Sequence, residues 1–251
     1  MQTDLEIYGS RARYYAAAFD WSVAHQVEHI ASLSGLLKGG SVLEPMCGSA
    51  RLSKAFAAAG FHTLGVDLSA PLIELARIDF SAAGLDGEWL EADARDFSLD
   101  RVCDLAVCPV NSLAHLQTTA DMAKHLHTVS GNLRPRGHYW VQLDLKDAEK
   151  EDPTERWEFE LEGETLEFEW SVVEFDGEFE THQDRILRKG EPIFEESHRM
   201  RRWSFKQWSR LLSESPFVLR GAYDGNLFTP FPIDDSLETQ RVYWQQLVKR
   251  A

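Results

Sequence analysis

Through residue 145 the chain alternates short apolar strands with helices, and that alternation restricts it to an α/β fold built on a parallel sheet. Strands are legible at Ser41–Glu44, Phe61–Val66, Glu88–Glu91, Asp104–Pro109 and His138–Leu145. Between and before them lie helical patterns. One runs from Asp20 to Leu37, where Trp21, Val23, Val27, Ile30 and Leu37 recur near helical spacing; others run from Ala50 to Ala59, from Ser69 to Ala83 and from Thr119 to Leu133. Gly39-Gly40, Gly60, Gly84 and Arg134-Pro135-Arg136-Gly137 supply the stops. Ser69 is placed to cap its helix, with Pro71 in the first turn. Crossovers of this kind are right-handed, and ligands of such sheets sit beyond the carboxyl ends of the strands.

From Arg156 to Trp203 the period changes to two: Trp157, Phe159 and Leu161, then Leu166, Phe168, Trp170 and Val172. Breaks fall at Gly163-Glu164, Asp176-Gly177 and Lys189-Gly190. Asp-Gly between alternating runs favours a tight hairpin, because the turn needs positive φ. The pattern predicts a four-stranded antiparallel meander with one glutamate-rich face (Glu158, Glu160, Glu162, Glu167, Glu169), read as solvated, and one aromatic face. The aromatic face must cover either a second copy of the chain or the mouth of the parallel sheet. A capping box at Ser204-Phe205-Lys206-Gln207 opens a helix to Ser213, and Phe217–Ala222 and Gln240–Val248 read as the last strands.

Composition narrows the function. Of 251 residues, 41 are acidic and 26 basic, for a net charge of -15. A protein that grips nucleic acid or an anionic membrane needs a basic footprint, so neither is the expected partner. Three cysteines, Cys47, Cys103 and Cys108, form neither a disulfide framework nor a zinc pattern. No apolar run is long enough to span a bilayer, and residues 1–10 lack a signal-peptide core. The expectation is a cytoplasmic protein.

The site chemistry is concentrated in three loops. After the first strand, Glu44 leads into Cys47-Gly48-Ser49-Ala50, whose small residues let the backbone approach a ligand at a helix amino end. Asp67 ends the second strand about twenty residues on, where an acid can accept two hydrogen bonds from a ribose diol. After the third strand, Asp93 can accept from an adenine amine and the Ala94 amide can donate to a ring nitrogen. A dinucleotide fingerprint would need G-x-G-x-x-G, and this loop has one glycine, which disfavours a nicotinamide oxidoreductase.

These segments resemble the class I S-adenosylmethionine-dependent methyltransferases, of the type acting on small molecules. Glu44-Pro45-Met46-Cys47-Gly48-Ser49-Ala50-Arg51 resembles their first motif, and Gly65-Val66-Asp67-Leu68-Ser69 their ribose motif. Ala92-Asp93-Ala94-Arg95-Asp96-Phe97 is similar to their adenine motif. Cys108 to Leu116 resembles the loop after their fourth strand, and Asn132 to His138 the turn into their fifth. The resemblance spans roughly residues 10 to 145 and continues more weakly from Arg202 to Gly225. It departs at Ala50, where the family usually has glycine.

The resemblance implies a Rossmann-like seven-stranded sheet, with residues 1–145 and 204–251 as the cofactor-binding core. The meander, 146–203, is then an insert serving as substrate lid or dimer surface. S-adenosylmethionine would be held by Tyr14, Glu44, Met46, Cys47, Gly48, Asp67, Leu68, Asp93, Ala94, Arg95, Pro109, Val110 and Asn111. His115 and Tyr14 are the candidate catalytic residues, and His115, Trp170, Arg199 and Trp203 the candidate substrate contacts. Among Tyr8, Arg13, Tyr14, Tyr15 and Trp21, ring faces could favour a sulfonium. The implied reaction is direct displacement of a methyl group onto nitrogen or oxygen of a small metabolite, in a monomer or homodimer without a metal.

Two other readings are open to the sequence. A protein of this fold can bind the cofactor without catalysis. And His25-Gln26-Val27-Glu28-His29 is an H-x-x-E-H run on a helical segment, the pattern of a zinc hydrolase using His25, Glu28 and His29. Stoichiometric zinc in metal analysis of the purified protein is expected only under that last reading.

Overall fold

The protein is described from a computed structural model, which places residues 5–145, 153–225, 229–234, 237 and 242–250. Five parallel strands form the centre: β1 (Ser41–Pro45), β2 (His62–Asp67), β3 (Glu88–Glu91), β4 (Cys103–Cys108) and β5 (Leu133–Leu145), in spatial order β3-β2-β1-β4-β5. Beyond β5 the direction reverses. β12 (Val242–Lys249) runs antiparallel to both β5 and β10 (Phe217–Tyr223), and the two-residue β11 (Pro230–Phe231) adds an edge strand. The seven expected strands are present; β11 carries no hydrophobic run and was not expected. Residues 240 and 241, expected to open the last strand, lie outside the described residues.

The central strands are buried throughout: Val42, Leu43, Leu105, Ala106, Val107, Trp140 and Val141 have no exposure at all. Such strands read as continuous apolar runs because helices cover both faces. The helices are α1 (Ala12–Ala18), α2 (Ala24–Ser34), α3 (Arg51–Ala58), α4 (Ala70–Ala82), α5 (Thr119–Gly131) and α6 (Phe205–Ser213). Ser69 caps α4 by accepting from the Leu72 amide, and Ser204 with Gln207 forms the expected capping box of α6. The helix expected from Asp20 to Leu37 is shorter. It begins at Ala24 and is ended by Gly35, whose φ of 61° closes it four residues before Gly39-Gly40. Asp20 to Val23, expected to open it, are outside any helix, and a separate seven-residue α1 precedes them.

The meander is a separate four-stranded sheet, β6 (Thr154–Leu161), β7 (Glu164–Phe175), β8 (Phe179–Arg188) and β9 (Glu191–Arg201), paired in sequence order. Its turns fall at the expected Gly163, Gly177 and Gly190, all at positive φ. Its inner face is covered by the chain's own amino-terminal segment: Leu5, Ile7, Tyr14 and Ala18 pack with Phe159, Leu166, Phe168 and Ile186. Trp157 reaches across and donates its indole N–H to the Ala18 carbonyl at 2.7 Å. On the other face Glu158, Glu160 and Glu162 are exposed, as read, but Glu169 is buried beneath Arg156 and Arg185, which both bond its carboxylate.

The inner face is therefore a core in its own right, and Phe168, with no exposure, is at its centre. Phe168→Ala is expected to destabilise the fold by about 3–5 kcal/mol in urea denaturation. A loss below about 1 kcal/mol would show that the amino-terminal segment does not seal this face.

Candidate functional site

The loops after β1, β2, β3 and β4 converge on one cavity of about 340 Å³, the size range of small-molecule sites. Met46, Gly48, Asp67, Leu68, Ala94 and His115, all singled out in the sequence, line it, together with Tyr8, Tyr15, Ser69 and Ser112. A recess of about 40 Å³ adjoins it, lined by Glu44, Cys47, Pro109 and Val110, with Tyr15, Phe19 and Arg51. The amino-terminal segment closes the cavity. Glu196 accepts from the Glu6 and Ile7 amides at 2.9 and 3.1 Å, and Ser69 Oγ donates to the Tyr8 carbonyl at 2.5 Å.

Asp67 joins two loops. Its Oδ2 accepts from the Gly48 amide at 2.7 Å and its Oδ1 from the Ser69 amide at 2.8 Å. Burial pushes this carboxyl upward, and the Ser69 and Gly48 amides oppose the shift. Gly48 stands at φ 53°, and a Cβ there would face Tyr15 and Leu72 at 3.7 and 3.9 Å. The expected departure at Ala50 also has a structural account. Ala50 sits at φ 62°, the left-handed conformation for which glycine is usual. Its methyl is fully buried beside Ala76 and Phe80, a contact that glycine would lack and that offsets the strain.

Glu44 lies deeper. It accepts from the Ser53 amide at 2.8 Å and the Ser53 hydroxyl at 2.5 Å, fastening β1 to α3. Burial raises its carboxyl to about 7 despite both bonds.

At the opposite end of the cavity, His115 belongs to a single 3₁₀ turn (Ser112–His115). Its Nε2 lies 3.3 Å from the Tyr8 hydroxyl, and its ring stacks on His198 of β9 with centroids 5.4 Å apart. Burial, reinforced by the neighbouring His182, lowers His115 to about 4, so the imidazole is neutral at pH 7. Behind it the inner face of the meander is polar where the sequence pattern suggested aromatics. His198 Nδ1 is 3.5 Å from Asp184, and His182 accepts from the Trp170 indole at 2.9 Å while its Nε2 meets Glu180 at 3.1 Å. Trp170, expected at the substrate, is in this second layer.

Other expected residues stand elsewhere. Tyr14 turns away from the cavity into the meander interface, and Tyr15, one position along α1, lines the cavity in its place. A helix turns about 100° per residue, so adjacent tyrosines cannot share a face. Asp93 is not in the lining; Arg95 grips it through Nε and Nη2 and reaches on to Asp121 at 2.6 Å. Asn111 bonds to the backbone of β5, accepting from the Asp144 amide at 3.0 Å. Arg199 is exposed on Asp176 and Phe179, and Trp203 is buried in the main core beneath Arg201. The histidines at 25 and 29 have their rings 4.6 Å apart on α2. Among the described residues no group of three or more His, Cys, Asp or Glu is arranged to hold a metal. No helix among them is long and apolar enough to cross a membrane.

Known proteins share this fold and part of this sequence. Residues 42–137, which carry β1 to β4 and the turn into β5, match the family model described as a methyltransferase domain. The ubiquinone biosynthesis O-methyltransferase of Aromatoleum aromaticum is 30% identical over 101 residues, 40% of this chain and 42% of that protein. The chain thus matches less than half the length of this curated relative. An S-adenosylmethionine-dependent methyltransferase from Clostridium acetobutylicum superposes with a TM-score of 0.75 at 17% identity, covering 96% of this chain and 98% of that one. An amino pentose methyltransferase of calicheamicin biosynthesis from Micromonospora echinaspora, solved with S-adenosylmethionine bound, gives 0.72 at 16% identity and 99% coverage of both chains. The fold is that of the class I, Rossmann-like methyltransferases. Within it, residues 42–137 are the part that is similar to a methyltransferase domain.

The Glu44 carboxyl makes a pH prediction. The folded state holds this proton up to about pH 7, whereas an unfolded chain releases it near 4.5. Stability therefore falls as pH rises through that window, by an amount on the order of 3 kcal/mol. Glu44→Gln removes the titration, so its stability relative to the wild type should rise between pH 5 and 8 in denaturant unfolding. A difference that is flat with pH would mean that Glu44 ionises normally.

Proposed function

We propose that the chain binds S-adenosylmethionine and transfers its methyl group to a nitrogen or oxygen of a small molecule. The observation that carries this reading is Asp67, half-buried in the cavity lining between the Gly48 and Ser69 amides, with Ala94 in the same lining. A carboxylate fixed there suits a ribose diol. Leu68 and Pro71 offer an apolar surface to adenine. The donor set suits the rest of the group as well: the recess beside Glu44 gives an ammonium an acid in a desolvated place, and Tyr8 and Tyr15 present rings beside a cation.

The cofactor supplies an electrophilic methyl on a sulfonium. What remains for the protein is alignment of the acceptor and exclusion of water. The amino-terminal segment does the second, held down by Glu196 and Ser69. His115 and Tyr8 stand where an acceptor would enter. Neutral at pH 7, His115 can accept a hydrogen bond or a proton from the attacking group. The small acceptor follows from the cavity's modest volume and the net negative charge, which offers nucleic acid no purchase. The same charge and the absence of a long apolar run fit a cytoplasmic enzyme.

Thermal unfolding with S-adenosylmethionine, S-adenosylhomocysteine or NAD tests the reading. A sulfur nucleoside at a hundredfold its Kd should stabilise the fold by about 2.7 kcal/mol, with no response to NAD. Asp67→Ala should abolish the response, and a wild type indifferent to both sulfur nucleosides would refute the proposal. With a methyl acceptor in hand, His115→Ala should lower kcat by about a hundredfold if the imidazole takes the proton.

A further inference from the structure

One stripe of α5 is polar and faces inward. Asp121, His125, Thr128 and the C-cap Asn132 recur at helical spacing, and every one bonds the loop that follows β3. Asp121 takes the Arg95 guanidinium at 2.6 Å. His125 Nδ1 lies 2.8 Å from the Ala94 carbonyl. Thr128 Oγ1 donates to the Arg95 carbonyl at 2.7 Å. Asn132 accepts from the Leu99 amide at 2.8 Å and donates to the Phe97 carbonyl at 3.3 Å.

His125 is the least dispensable of the four. It has no exposure, and its Nε2 meets the hydroxyl of the equally buried Tyr139 at 2.7 Å. A carbonyl only accepts, so Nδ1 must carry the proton and Nε2 must accept from Tyr139. The tautomer is thus set by its two partners, and burial keeps the ring neutral, lowering it to about 4. Ala94, whose carbonyl is held, lines the cavity, and among the described residues its own amide takes part in no backbone hydrogen bond. The Ala94 amide is therefore available to a ligand, and its position is fixed from behind.

We propose that His125 is a positioning residue for the cofactor, setting the Ala94 amide against N1 of the adenine ring through the Tyr139–His125–Ala94 chain. This rests on the reading that the cavity holds an adenine nucleoside. The residue touches no ligand itself. It acts by removing the freedom of the one loop that distinguishes adenine from other bases.

Calorimetric titration of the full chain with S-adenosylhomocysteine and with S-inosylhomocysteine tests this. Inosine carries a hydrogen on N1, which adenine leaves open, so an Ala94 amide aimed at N1 can bond only the adenosyl ligand. The wild type should prefer the adenosyl compound, and H125L should lose at least about fivefold of that preference, the equivalent of one modest hydrogen bond. H125Q, whose amide can donate to Ala94 and accept from Tyr139, should restore it. Y139F keeps the ring and removes only the hydroxyl, and should lower the preference by about threefold. If H125L fails to fold, Y139F and H125Q carry the test. A merely structural role weakens both ligands equally, so an unchanged ratio in the folded variants overturns the proposal. A wild type that binds neither compound removes the nucleoside reading and this assignment with it; one that binds with an unaltered ratio in the variants removes this assignment alone.

Discussion

The Asp67 carboxylate holds the cavity together. It ends β2, and its two oxygens reach in opposite directions, one to the Gly48 amide after β1 and one to the Ser69 amide at the start of α4. Both turns would otherwise leave a buried N–H without a partner, which costs more than a typical hydrogen bond contributes. Ser69 in turn caps α4 and grips the Tyr8 carbonyl. The amino-terminal segment, the first motif and the α4 terminus are thus referenced to one side chain. A ligand that engages this carboxylate would be coupled to all three at once.

The parallel half of the fold was legible because it is buried. Strands covered on both faces must be runs of apolar residues, and each run here is punctuated by glycine or by a cap. Asp67 and Ala94 were legible for a different reason: an acid at a strand end and a small residue in the next loop have few structural duties that explain them. Tyr14 and Tyr15 could not be told apart, since α1 is seven residues long and shows no period from which a face could be assigned. Trp170, Arg199 and Trp203 share the meander or its exit, but alternation gives only the face of a residue and not what packs on that face.

The polar interiors were illegible for a related reason. His182, Asp184 and His198 alternate with partly or fully exposed residues and read as a solvated strand face, yet all three are nearly inaccessible. The inner stripe of α5 likewise reads as a solvent-facing side, because Asp121, His125, Thr128 and Asn132 are polar. Sequence patterns report hydrophobicity, and a buried polar group is recognised only by its partners. In α5 those partners are backbone groups of the loop after β3, which carry no mark in the sequence. The signal that existed was spacing: four hydrogen-bonding residues at helical intervals beside the apolar stripe of Met122, Leu126 and Val129.

Backbone strain follows the same geography. Of the non-glycine residues with positive φ, Arg136, Glu162 and Lys189 lie in turns or strand irregularities, whereas Met46, Ala50, Val110 and Asn111 lie in the loops after β1 and β4. Val110 is the costliest, since a β-branched side chain is poorly tolerated there. It persists because β5 overdetermines the loop: Gln142 accepts from the Val110 amide through its side chain and from the Asn111 amide through its carbonyl, and Asn111 accepts from the Asp144 amide. Strained residues survive where surrounding bonds fix them, and they gather where function requires a fixed shape. Here the loops after β1 and β4, strained in parallel, face each other across the recess beside Glu44. Their rigidity suits a displacement reaction, in which the distance and direction between two reacting atoms decide the rate more than any group that donates or accepts a proton.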